Sequence, residues 1–399
     1  MNNPHDYRLG HILHKGDQIC ADGVVYTITG APLGFGGTSI LYPAISDGSK
    51  LEIAIKEAFP GGAARYHRCG GVIRPTDPND VSALGQLEYY GKVLKIREEV
   101  LPPNHPDMAT SYNNVGGAYG ALGDHEKALE YYRKALKIRE KVLPSIHPDL
   151  ADSYNNVGAA YGDLGDHKNQ LEYIRKALKI REEVLPSNHP DLADSYNNVG
   201  YAYGALGDHG KRLEYYRKAQ EIREEVLPSN HPDLIITYEN IAVTYHDLEN
   251  CEQEFTYLRK AAQAGSTWAM NRLANRLIDG DHCGQDYSEA LLWLEKSHDL
   301  GNAVGTNNLA WMYLNGHGIQ QNLSDAIELF KIAANHPQKP SKASNRQLGK
   351  IYLGVHPAAP DFDGIDPVKA HHYLIRAKEL GADDVDDLIE TARKMIDEL

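Results

Sequence analysis

His147-Pro-Asp-Leu-Ala-Asp-Ser-Tyr-Asn-Asn-Val-Gly158 is repeated without change as His189 to Gly200. Looser copies begin at His105 and His231, so the four start points are each 42 residues apart. A fixed period of this size is the mark of stacked supersecondary units, each burying its apolar face against the next. Within one unit, Tyr154, Val157, Gly158 and Tyr161 fall on one helical face, and so do Leu171, Ile174, Ala177 and Leu178 further on. Pro148 suits the first position of a helix, and Asp149 suits its positive end. Between the two runs, Gly165-Asp166 reads as a left-handed stop followed by the cap of a second helix. Pro186 ends that helix. Each unit is therefore expected to be an antiparallel helix pair, with Gly158 and Ala177 at its closest approach.

These residues resemble the tetratricopeptide repeat. Gly116, Gly158 and Gly200 stand at that family's small position in the first helix, and Tyr119, Tyr161 and Tyr203 follow three residues later. Ala135, Ala177 and Ala219 match the small position of the second helix. The 42-residue length and the tail Lys-Ile-Arg-Glu-x-Val-Leu-Pro (Lys137 to Pro144, Lys179 to Pro186) look most like the kinesin-light-chain type. After Gly265 the period becomes 36: Gly280 and Gly316, Ala290 and Ala326, Gly265 and Gly301. The run from Tyr287 to Gly301 returns from Leu323 and again from Pro367 to Gly381. This part is similar to the SEL-like repeat. Two Pro-rich insertions, around 337–340 and 357–360, read as surface loops. Val385, Leu388, Ile389, Ala392, Ile396 and Leu399 form the stripe of a closing helix.

The first eighty residues differ. Val24 to Thr29 and Leu51 to Lys56 are β-type runs. Between them, Gly34-Phe-Gly36-Gly-Thr-Ser39, with Ile53-Ala-Ile-Lys56 beyond, resembles the opening of a protein kinase. Gly34, Gly36 and Lys56 match the phosphate-loop glycines and the strand lysine, while Ser39 replaces the third glycine. Glu88 is the nearest helical carboxylate to partner Lys56. Repeats begin where the catalytic lobe should start, so no aspartate base, metal-binding asparagine or Asp-Phe-Gly stands in context. Asp361-Phe-Asp-Gly364 lies in a repeat loop. Three readings of the segment remain: a β-module capping the first repeat, a pseudokinase remnant, or a relic without fixed structure.

The expected fold is thus mainly α: a right-handed α-solenoid of helix-pair repeats with a small β-rich N-terminal segment. Its expected parts are 1–80, 81–264, 265–381 and 382–399. The resemblance implies a non-catalytic scaffold with a concave groove lined by the first helices, holding a peptide or protein through Asn113, Asn114, Asn155, Asn156, Asn197, Asn198 and Asn240. An amide both donates and accepts, so a ladder of them suits a peptide backbone; alternatively one Asn of each pair ties neighbouring helices. Tyr112, Tyr154 and Tyr196 read as packing residues. The other functional reading is a regulatory pseudokinase-like protein binding ATP weakly at Gly34, Gly36 and Lys56. No other cofactor and no metal is implied. A net charge of −14 argues against nucleic acid. Four scattered cysteines, no apolar run of membrane length and no apolar leader point to a cytoplasmic protein without a membrane partner.

Overall fold

The computed structural model describes residues 84–280 and 284–399 in full, the backbone of residue 83, and between Gln18 and Gly70 the backbone of six strands. These are β1 (Gln18–Ala21), β2 (Val24–Ile28), β3 (Gly34–Gly36), β4 (Ser39–Ser46), β5 (Lys50–Ala58) and β6 (Ala64–Gly70), paired antiparallel in the order β1-β2-β4-β5-β6, with β3 beside β4. The Lys56 side chain lies outside the described residues, and with it the phosphate-loop reading of Gly34, Gly36 and Lys56. Glu88 pairs with Lys92 at 2.6 Å. The chain divides into two compact units, 1–208 and 209–399.

The helices of the first unit are α1 (Ala83–Val100), α2 (Pro106–Ala121), α3 (His125–Val142), α4 (Pro148–Asp163), α5 (His167–Val184) and α6 (Pro190–Ala205). Here α1 is a lone second helix, and α2/α3 and α4/α5 are complete pairs. Pro148 and Pro190 occupy the first turn as expected. The cap itself is the histidine before them. The residue ahead of proline is driven to extended backbone, and His147 sits at φ −71°, ψ 134° with its Nδ1 accepting the Asp149 N–H at 3.2 Å. His105 and His189 do the same. Gly165 closes α4 at φ +77°, where a side chain would be strained. Asp166 then caps α5 by accepting from Asn169 N–H at 3.1 Å. A Cβ on Gly158 would stand 2.6 Å from Ile174 Cγ2, so α4 and α5 meet there and only hydrogen fits. Val157, Ala151, Leu150, Leu136, Ala177 and Ile180 form the core across these helices.

The second unit contains α7 (His209–Val226), α8 (Pro232–Asp247), α9 (Cys251–Gln263), α10 (Thr267–Asp279), α11 (Tyr287–Asp299), α12 (Ala303–Asn315), α13 (Leu323–Ala334), α14 (Lys342–Tyr352), α15 (Pro367–Glu379) and α16 (Asp386–Asp397). Each of α8, α10, α12 and α14 packs on the helix that follows it. Asn250, Ser266, Asp286, Asn302, Asn322, Ser341 and Asp366 cap the helices they precede. Gly280 and Gly316 end α10 and α12 in the left-handed conformation. The second Pro-rich insertion is less superficial than its composition suggests. Ala359 and His356 are buried, and the Phe362 ring stands edge-on to Tyr352 at 5.9 Å. Ile389 and Ala392 of α16 join the same core, whereas Leu399 is 89% exposed. Among the described residues, no helix is long and apolar enough to cross a membrane.

Candidate functional site

The tail Lys-Ile-Arg-Glu and the run Ser-Tyr meet across each turn from one pair to the next. Arg139 at the end of α3 donates to Ser153 Oγ at 2.8 Å and to the Asp149 carbonyl at 3.0 Å, while Tyr154 donates to Glu140 at 2.9 Å. The same double clasp joins Arg97 and Glu98 to Ser111 and Tyr112, and Arg223 and Glu224 to Thr237 and Tyr238. Arg181 likewise binds Ser195, and Tyr196 binds Glu182. Burial, then the carboxylate beside it, pushes the Tyr112 and Tyr154 phenols up to about 12 and raises Tyr238 in the same direction. Tyr112 and Tyr154 are half-buried linkers whose rings tilt against Tyr131 at 6.1 Å and Tyr173 at 6.2 Å, and Tyr238 is buried.

With the pairs locked in register, the first helices align their asparagines. Asn156 Nδ2 donates to Asn113 Oδ1 at 2.8 Å, and Asn198 Nδ2 donates to Asn155 Oδ1 at 3.1 Å. The second Asn of one unit thus holds the first Asn of the unit before it. Each bond uses the carbonyl of Asn113 or Asn155 and leaves its Nδ2 donors for another acceptor. Asn114 lies on the same helix, half-buried. Asn197 and Asn240 are half-buried and have interactions of their own. In the fourth copy Glu239 replaces the first Asn. Burial raises its carboxyl, against the lowering pull of its bond with Ser266 Oγ.

The first helices of the second unit expose a different chemistry. Trp268 on α10 is 41% exposed, and Trp311 on α12 is 40% exposed. Ile236 on α8 and Val304 on α12 are also open. Arg272 lies over the Trp268 ring at 5.5 Å. Its guanidinium also binds Glu254, a carboxylate with 1% side-chain exposure, at 3.2 Å. Arg276 and His246 reach the same carboxylate, at 3.4 and 3.3 Å. Buried charge needs such partners, and the bond to Glu254 anchors Arg272 beside the Trp268 ring. Sequence reading singled out none of Trp268, Trp311 and Arg272. Their helices carry apolar residues on several sides, and only packing shows which side is left open.

Among the described residues, no cluster of His, Cys, Asp or Glu has the geometry to hold a metal ion. The four repeated histidines use Nδ1 as helix caps instead.

No curated protein matches the chain. Among solved structures, similar folds occur in the nearly identical TPR-like repeats of kinesin-light-chain type from Podosopora anserina (24% identity, 46% of this chain and 86% of that one, TM-score 0.42). BtubC (BKLC) from P. vanneervenii is similar at 17% identity over 66% and 95% of the two chains, TM-score 0.42. A Sel1 repeat protein from Oxalobacter formigenes is similar at 19% identity over 65% and 97%, TM-score 0.40. The family model for the tetratricopeptide repeat matches residues 87–141 and 149–225. That for the Sel1 repeat matches 255–266, 269–302, 303–337 and 362–381. The chain is a helical-repeat protein built of tetratricopeptide and Sel1 repeats.

Proposed function

We propose that the chain is a non-catalytic scaffold whose first-helix faces bind a peptide or protein partner. Repeats of both families generally mediate protein–protein interaction. The observation that carries the reading is the pairing of asparagines. It points Asn113 and Asn155 Nδ2 donors one helix pair apart, where an extended backbone offers carbonyls in series. Trp268 and Trp311 add the residue type that dominates interface energetics when it is buried by a partner. Asn114 and Asn197 belong to the proposed set of the first unit, and Asn240 is proposed for the first-helix face of the second. The nucleotide alternative at Gly34, Gly36 and Lys56 gains no support from the family matches.

Two double variants test the reading: Asn113→Ala with Asn155→Ala, and Trp268→Ala with Trp311→Ala. Partners captured from cell extract by the unaltered chain are identified, purified and titrated against each variant. Each lost amide bond should cost about 0.5–1.5 kcal/mol, and each lost indole anchor about 2 kcal/mol or more. Undiminished affinity in both variants would remove the first-helix face as the binding surface.

A further inference from the structure

Between α11 and α13, above α12, the surface opens into a cleft of about 450 Å³. Leu309, Tyr313 and Leu329 make its floor. Glu295 and Asp299 stand on the α11 wall, and Asp325 and Glu328 on the α13 wall. Ile332, 53% exposed, closes the α13 side. His298 fills the gap in the α11 wall, tied through Nδ1 to Thr306 Oγ1 at 2.9 Å. No lysine or arginine lines the cleft.

This distribution is unlike that on α1, α3, α5 and α7. There, glutamate and lysine alternate four residues apart: Glu88–Lys92, Glu130–Lys134, Glu172–Lys176 and Glu214–Lys218, each at 2.6 to 2.9 Å. Such pairs support a helix, and like charges at the same spacing weaken it. In the cleft, like charges stand four apart on the α11 wall (Glu295, Asp299) and three apart on the α13 wall (Asp325, Glu328). Glu328 has Lys331 at 2.7 Å, and Asp325 accepts only from the Asn322 amide. The Glu295 and Asp299 carboxylates have no ion pair or side-chain hydrogen bond among the described residues. The α11 wall therefore keeps two uncompensated carboxylates opposite Asp325 and Glu328, over an apolar floor, at a cost that a cationic occupant would relieve.

We propose that this cleft docks a basic amphipathic segment of a partner protein. Its apolar side chain packs on Leu309, Tyr313 and Leu329, and its lysine or arginine sits between Glu295/Asp299 and Asp325/Glu328. The charge of the walls selects the sign of the occupant, and the floor, with Ile332, selects a side chain over a bare cation. The site is separate from the first-helix face and does not depend on it.

The probe is a short fluorescein-labelled peptide of lysine and leucine, titrated against the full chain by anisotropy at two salt concentrations. Glu295→Gln with Asp299→Asn should weaken binding about tenfold or more and flatten the salt dependence, as loss of a charged contact does. Ile332→Ser should weaken it about threefold with the salt dependence unchanged, since it removes apolar contact alone. The control, Asp361→Asn with Asp363→Asn, removes the same charge from an exposed loop. An equal loss in the control would reduce the effect to general attraction by an acidic chain and overturn the proposal. Spermine binding as tightly as the peptide, or an Ile332→Ser variant indistinguishable from the unaltered chain, would overturn the assignment of a side-chain-bearing occupant. Thermal melts of the charge variant should be no lower than those of the parent, because repulsion has been relieved.

Discussion

Replacing Arg139 by methionine isolates the clasp between consecutive helix pairs. The substitution keeps an unbranched apolar stem on α3 and removes the guanidinium. Two bonds disappear, one to Ser153 Oγ at 2.8 Å and one to the Asp149 carbonyl at 3.0 Å. A hydrogen bond from a charged donor is worth about 1.5–3 kcal/mol. The Asp149 carbonyl lies at an exposed helix start and finds water, so most of its share is recovered. Ser153 is 1% exposed and is left without its partner, which costs about 1–3 kcal/mol. The net expectation is a loss of about 2–3 kcal/mol. Lys134→Met on the same helix supplies the comparison. Its bond to Glu130 at 2.6 Å is solvent-exposed and worth about 0.3–0.5 kcal/mol. Urea unfolding of both variants measures the difference, and amide exchange in α4 shows whether the loss is local to the junction. Equal destabilisation by the two substitutions, or an Arg139→Met cost below about 1 kcal/mol, would refute the view that the clasp couples the repeats.

Two further outcomes follow from packing and burial. Gly91 in α1 has open space where a Cβ would go, so Gly91→Ala should stabilise by about 0.5–1 kcal/mol through helix propensity alone. Gly158→Ala must push Ile174 Cγ2 away from 2.6 Å and should destabilise by about 1–2 kcal/mol net, both read from urea midpoints. His356 is held below its ordinary value by burial first, then by Lys350 nearby. The unfolded chain therefore takes up the proton more readily than the folded one. The stability this ring contributes is complete above the unfolded value near 6.5, and falls as pH drops below it toward the lower folded value. His356→Gln should flatten that part of the stability–pH curve, as thermal melts between neutral and mildly acidic pH will show.

Much of the helical architecture is written in local patterns that a sequence displays directly. Gly165 and Asp166 end one helix and cap the next, as their chemistry requires, and Gly158 marks the close approach it seemed to mark. Other features depend on which residues meet in space. Arg139 and Ser153 are 14 apart with a turn between them, outside any helical period, so the clasp stayed hidden although both halves repeat visibly. The histidine caps were missed for a different reason. Histidine is not a favoured cap by type, and it serves because the following proline fixes the backbone and turns Nδ1 toward the Asp149 N–H. Trp268 and Trp311 resemble core residues until the packing of α10 and α12 leaves them open. The 357–360 loop reads as surface from its prolines, yet Ala359 and His356 fall inward with Phe362.

The clasp also bears on how such a chain changes length. Each 42-residue unit carries the arginine and glutamate at one end and the serine and tyrosine near the other. A unit copied or deleted in phase therefore brings both halves of every junction with it. The new neighbours meet with the same donors and acceptors as the old ones, and no new contact has to arise by mutation. Selection can then act on the exposed positions of a fresh copy while its joints are already in working order. The exact identity of His147–Gly158 and His189–Gly200 is what such copying leaves behind.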